Sequence, residues 1–184
     1  AALPRTEGRF TRLKLSLKIL QTSRDRRRLN ADYRIVNPEG KGIPPPASYE
    51  EALALARKAV SSLTFQVAAS GAQADRVRSR MLDGLTARGL RTVERGARAA
   101  DVVVDAEGEA EALPPENLLF YWAKGAVRVK LTYGKTGEVF SRFEESGQEA
   151  ARDPGSAMDA VLVGLSDKAA SRAFKAIVSA ELDE

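Results

Sequence analysis

Apolar and polar residues alternate along two stretches near the start of the chain. Leu13, Leu15, Leu17 and Ile19 fall on one side of a period of two, and Arg12, Lys14, Ser16 and Lys18 on the other. Leu29, Ala31, Tyr33 and Ile35 repeat the period. Period two marks a half-buried strand. The pattern therefore predicts two strands, with the polar run QTSRDRRR as the loop of a hairpin. The segment NPEGKGIPPPAS then breaks any regular element.

Further along, the period lengthens. In SYEEALALARKAVSSL, Ser48 is followed three residues on by Glu51, a capping box for a helix that carries Leu53, Ala56 and Val60 on one stripe. TFQVAAS predicts a short strand. Ser70 and Gln73 give a second S-x-x-Q signal before a helix in which Val77, Met81 and Leu85 recur every four residues and Gly89 marks the stop. LRTVE and ADVVVDAEGEAEA predict strands. The second has Val102 and Val104 on one face and Asp101, Asp105, Glu107, Glu109 and Glu111 on the other. After LPPEN, Val127, Val129, Leu131 and Tyr133 alternate, GKTG turns the chain, and Val139, Ser141 and Phe143 alternate in a partner strand. Ser156, with Asp159 in the first turn, is the expected N-cap of a last helix. There Val161, Leu165, Ala169, Ala173 and Ile177 step by four, widened by Met158, Leu162 and Phe174.

Strands with one apolar face need cover, and amphipathic helices supply it. The expected fold is α+β, a two-layer sandwich whose mostly antiparallel sheet is covered by about three amphipathic helices. The opening stretch and residues 127–170 share an order of hairpin, Pro/Gly loop and Ser-capped helix, the signature of a repeated unit. Residues 1–63 then form a hairpin-plus-helix half unit. Residues 64–184 form a complete strand-helix-strands-helix unit, or the two make one continuous domain.

Composition narrows the chemistry. Cysteine and histidine are absent, which excludes thiol nucleophiles, disulfides, Cys/His zinc sites and histidine triads. No stretch approaches the ~20 apolar residues of a membrane span, and no export-signal pattern is visible. The GKT of GKTGE is a turn rather than a phosphate loop, because Val129 stands where the upstream glycine belongs. Carboxylates spaced by two along a strand stand ~7 Å apart, without a D-x-D-x-D-G loop; they read as a solvated or complementary face. Ser48, Ser70 and Ser156 are explained as helix caps. No enzymatic activity, cofactor or metal is expected.

Charge singles out the opening stretch. Residues 1–42 carry eleven Lys/Arg and four Asp/Glu, a net of +7, and the remainder is net −3. The candidate partner-binding residues are Arg12, Lys14, Lys18, Arg24, Arg26, Arg27 and Arg28 on the hairpin, with Tyr121 and Trp122 in LLFYWAK, since aromatics concentrate in interface hot spots. One partner class is another protein, or a second copy whose DVVVDAEGEAE face meets the cationic hairpin. The other is nucleic acid or anionic lipid, with the hairpin 12–34 tracking phosphates.

The order of elements over residues 64–182 resembles a group of bacterial envelope proteins. The quoted features are a helix ending near ARGLRTVE, the strand ADVVVDAEGEAE, a strand-KTGEVF-strand hairpin, and the helix SAMDAVLVGLSDKAASRAFKAI. The group includes the curli secretion-channel lipoprotein, the flagellar H-ring protein of sodium-driven motors, and small outer-membrane lipoproteins. The chain departs from the group in having no lipobox cysteine, so the resemblance does not extend to lipid anchoring. The resemblance implies a non-enzymatic protein of the periplasm or outer-membrane periphery that builds or braces an assembly through contacts with other envelope proteins or copies of itself.

Overall fold

A computed structural model describes residues 8–42, 48–93, 100–114 and 120–179. Contacts divide the chain into two compact units that meet in sequence at Leu63 and Thr64.

The first unit is helical, and the predicted hairpin does not exist. Residues Arg9–Val36 form one 28-residue helix, α1, so neither the two strands nor the repeated unit is present. Composition explains why a period of two loses here. Leu, Lys, Arg, Gln and Ala dominate α1, all strong helix formers, and no glycine or proline lies between Gly8 and Pro38. A run of arginines is not a turn. The helix ends where Pro38 blocks continuation, with the Asn37 N–H donating to the Tyr33 carbonyl at 2.8 Å. Its buried positions are Leu13, Ser16 and Ser23; the Ser16 hydroxyl is satisfied by the Leu13 carbonyl at 2.8 Å.

The second helix, α2 (Tyr49–Val60), packs on α1. It starts as the sequence predicts: the Ser48 N–H donates to Glu51 Oε2, and the Glu51 N–H donates to Ser48 Oγ. Ala52, Ala56 and Ala59 are its buried residues. Small side chains there let two helix backbones approach closely.

The second unit is a five-stranded sheet with two helices. In chain order the elements are β1 (Thr64–Gly71), α3 (Ala74–Thr86), β2 (Arg91–Thr92), β3 (Val102–Ala112), β4 (Tyr121–Tyr133), β5 (Val139–Ala151) and α4 (Pro154–Ser179). The spatial order is β2-β1-β3-β4-β5. The expected mostly antiparallel sheet is in fact mixed: β1 runs parallel to β2 and β3, while β3, β4 and β5 form an antiparallel meander. The parallel half follows from α3, which carries the chain back across the sheet between β1 and β2. With α1 counted, the chain has four described helices rather than three.

Helices α3 and α4 lie on the same face of the sheet. Val77, Met81 and Leu85 of α3 and Val161, Leu162, Leu165, Ala169, Ala173 and Ile177 of α4 are buried, against Val102, Val104, Val127, Val129 and Leu131 of the strands. A glycine notch brings α4 down onto the sheet. Gly125 and Gly147 are cross-strand partners, and Val161 and Leu165 side chains occupy the space above them. Gly84 likewise admits Ala170 where α3 meets α4.

Two caps differ from expectation. β1 continues through Ser70, and the N-cap of α3 is Gln73, which adopts a left-handed φ of 50° and makes no side-chain cap. At α4, Asp153 is the capping residue. Its carboxylate accepts from the Ser156 N–H at 2.8 Å and from the Ser156 hydroxyl at 2.6 Å, with Pro154 at the first helical position, where its missing N–H costs nothing.

Candidate functional site

The seven predicted cations lie on α1, and the helix scatters them. At about 100° per residue, a pattern that alternates in sequence winds around the whole circumference, so Arg12, Lys14, Lys18, Arg24, Arg26, Arg27 and Arg28 share no face. A β-ribbon laid along phosphates is therefore not available, because residues 12–34 form a helix and not a hairpin. What the helix does assemble is local. The stripe that holds Ser23 continues to Arg27, Asn30 and Arg34, which with Arg26 and with Ser48 and Tyr49 of α2 line a shallow basic cleft. The Arg27 guanidinium lies 5.6 Å from the centre of the Tyr49 ring, a cation–π distance.

Tyr121 and Trp122 are consecutive in β4, so they point to opposite faces. Tyr121 is half-buried on the helix-covered side, and Trp122, 40% exposed, is on the open side. They do not form one patch.

The open face of the sheet carries the acidic row of β3, and the sheet itself neutralises it. In the β3–β4 register, Asp105 opposes Lys130, Glu107 opposes Arg128 and Glu111 opposes Lys124. Lys130 pairs with Asp105 at 2.9 Å and Lys124 with Glu111 at 2.9 Å. Arg128 is the hub. Its Nη1 and Nη2 donate to both Glu109 oxygens at 2.6 and 3.0 Å, and its Nε donates to Glu144 at 2.8 Å. The bidentate hydrogen bonds from Arg128, then its charge, hold Glu109 below the usual carboxylate range; the same contacts raise Arg128. The cations expected from a neighbour's hairpin come instead from the adjacent strand. The signal was present, because Arg128 and Lys130 share the parity opposite to Val127 and Val129.

Two further clusters were not anticipated. Arg172 of α4 reaches to β5, 4.7 Å from the Phe143 ring centre, and donates to Glu145 at 2.9 Å. Asp159, in the second turn of α4, accepts from Arg76 and from Gln73. Arg76 and then Gln73 depress its pKa.

None of this converges on a reacting centre. Depressions on the open face are flat and lined by the ion-paired strand residues. Among the described residues no cluster of carboxylates is arranged to hold a metal ion, and no helix is long and apolar enough to cross a membrane.

No family model matches the sequence, and no curated protein matches it. Solved structures do. Protein XCC0632 from Xanthomonas campestris is similar with a TM-score of 0.51 at 10% identity, over 62% of this chain and 84% of that one. A putative lipoprotein from Caulobacter crescentus gives 0.47 at 15% identity, over 70% and 99%. The PelC dodecamer from Paraburkholderia phytofirmans gives 0.43 at 13% identity, over 65% and 86%. The likeness to the Xanthomonas protein is one of fold.

Proposed function

We propose that the protein is a non-enzymatic structural or assembly component of a bacterial cell-envelope complex, acting through protein–protein contacts. The observation that carries this reading is the open sheet face. Both helices of the second unit cover one side of the sheet, and the other side is, among the described residues, a broad surface without a deep cleft, its charges paired in register and Trp122 at one end. Such a surface suits another protein better than a small substrate, because small-molecule sites are concave, whereas a protein contact takes a broad face with an aromatic anchor. The resemblance of residues 64–182 to the curli secretion-channel lipoprotein and the flagellar H-ring protein supports an envelope setting, at the periplasm or outer-membrane periphery. The partner is another envelope protein or a second copy.

A photoreactive residue at Ser146, on the open face, tests the reading in native cells carrying the full gene product. Discrete adducts in the envelope fraction, lost when Ala126→Arg roughens the face, are the expected result. A cytoplasmic protein, or no more adduct from Ser146 than from exposed Arg80 on α3, refutes it.

A further inference from the structure

The C-terminal end of α1 has a composition that neither packing nor the sheet face explains. Leu29, Ile35 and Val36 are 65%, 80% and 86% exposed, and Tyr33 is 45% exposed. These four of the exposed large hydrophobic residues fall within eight positions of one another. They stand among Arg24, Arg26, Arg27, Arg28 and Arg34, against Asp25 and Asp32, which leaves a local charge of +3. Among the described residues, Arg24, Arg28 and Arg34 make no salt bridge.

We infer that this helix end docks on an anionic lipid surface. Three features choose lipid over a protein groove. First, the apolar surface is wider than one stripe. Leu29, Tyr33 and Val36 lie within about 60° of one another, and Ile35 lies about 100° round the helix from Val36. A groove takes one stripe, whereas a fluid phase accepts side chains from several directions around a helix tip. Second, the depth fits. Leu29 and Val36 are about 10 Å apart along the axis, comparable to the ~5–10 Å to which interfacial helices bury their apolar residues. Third, Arg28 and Arg24 lie about two and three turns back from Val36. An apolar tip with arginines behind it places aliphatic carbon among acyl chains and guanidinium groups at the phosphates, where long side chains snorkel. The charge is complementary to an anionic headgroup layer. Asp32 lies near the tip and opposes deeper insertion, so the expected attachment is peripheral and reversible. This inference is independent of the open sheet face: its residues belong to the other unit.

The test is cosedimentation of the full chain with vesicles of phosphatidylcholine alone and of phosphatidylcholine mixed with phosphatidylglycerol. The protein is expected to bind the mixed vesicles and to be released by salt. The exposed-site variants Ile35→Ser/Val36→Ser and Arg24→Gln/Arg28→Gln are each expected to lower the partition coefficient about tenfold, with unchanged circular dichroism. A Val36→Trp variant is expected to shift its emission to the blue on mixed vesicles and to become protected from iodide. Equal binding to both vesicle types, or unchanged binding by either double variant, overturns the inference. So does light scattering that shows self-association abolished by Ile35→Ser/Val36→Ser, because a second copy then occupies the tip. Retention on duplex oligonucleotide at the salt that releases vesicles also overturns it. Failure here leaves the Ser146 adducts untouched, so the two readings fail separately.

Discussion

The turn between β4 and β5 contains two glycines, and the structure requires them for different reasons. Gly137 has a φ of +73°, and nothing lies within 4 Å of where a Cβ would stand. Gly134 has no left-handed backbone, but a Cβ there would meet the Ala100 carbonyl oxygen at 1.8 Å. Its N–H also donates to the Asp101 carbonyl at 2.9 Å. Replacing each by alanine therefore isolates strain from collision. Gly137→Ala incurs the left-handed penalty of about 1–2 kcal/mol, reduced by the ~0.4–1 kcal/mol gained from a less flexible unfolded chain, for a net loss of about 1 kcal/mol. Gly134→Ala must push apart two backbone segments. Overpacking costs about 1–3 kcal/mol, and weakening the bond to Asp101 adds about 1 kcal/mol, for a loss of about 2–4 kcal/mol. The only tryptophan, Trp122, lies in the same unit, so urea melts followed by its fluorescence report the right transition. Asparagine sharpens the distinction. It tolerates left-handed backbone, so Gly137→Asn is expected to be near neutral while Gly134→Asn is as damaging as alanine. The reasoning is refuted if Gly137→Ala costs as much as Gly134→Ala, or if asparagine rescues position 134.

Further outcomes follow from the core and the caps. Ser166 is fully buried and its hydroxyl has no hydrogen-bond partner among the described residues; Ser166→Ala is expected to raise stability by about 1 kcal/mol, read as a rise of about 2–4 °C in Tm. Gly84→Ala is expected to destabilise by about 1–3 kcal/mol, since its Cβ would stand 2.6 Å from that of Ala170. Ala170→Gly in the same chain should recover part of the loss, measured as a coupling in a double-mutant cycle. Bonds from the Ser156 hydroxyl and N–H lower the Asp153 pKa from 3.8. A depressed carboxylate stabilises the fold above its unfolded pKa and loses that contribution as pH falls through the lower folded value. Thermal melts from neutral pH downward should therefore show an acid loss that shrinks in Asp153→Asn, which keeps a cap but cannot titrate.

The second unit was legible because each of its elements carries a period and a stop. Val77, Met81 and Leu85 could only be a helical stripe, and Gly89, at φ +93°, closes it with the Leu90 N–H donating to the Leu85 carbonyl at 3.3 Å. The meander from Val102 to Ala151 was readable from parity except at the start of β5, where a register shift at Leu131/Thr132 pairs Val139 with Thr132 and takes it off the face of Ser141 and Phe143. The parallel placement of β1 was not, because strand direction is set by a crossover rather than by any residue in the strand. The ion-paired face was half legible: the acids were seen as a row, but their partners became visible only through the register. The opening helix was misread because alternation was weighed above propensity. Residues 9–36 are led by leucine and arginine over β-branched residues, and contain no turn-forming glycine or proline. The aromatic pair was misread for the opposite reason, since adjacency in a strand separates side chains instead of joining them.

The mixed topology has a kinetic consequence. β3, β4, β5 and α4 follow one another along the chain, so their pairing can grow outward from the GKTG turn by closing short loops. β1 joins them only by reaching across 37 residues, where Thr64 N–H and Oγ1 donate to Asp101 Oδ2 at 2.8 and 2.7 Å. Long loops close late because their entropy must be met before any contact forms. The β4–β5 hairpin is therefore expected to pair early and β1, with β2 beyond it, to join later; φ-values higher at Val129 than at Val67 would report that order.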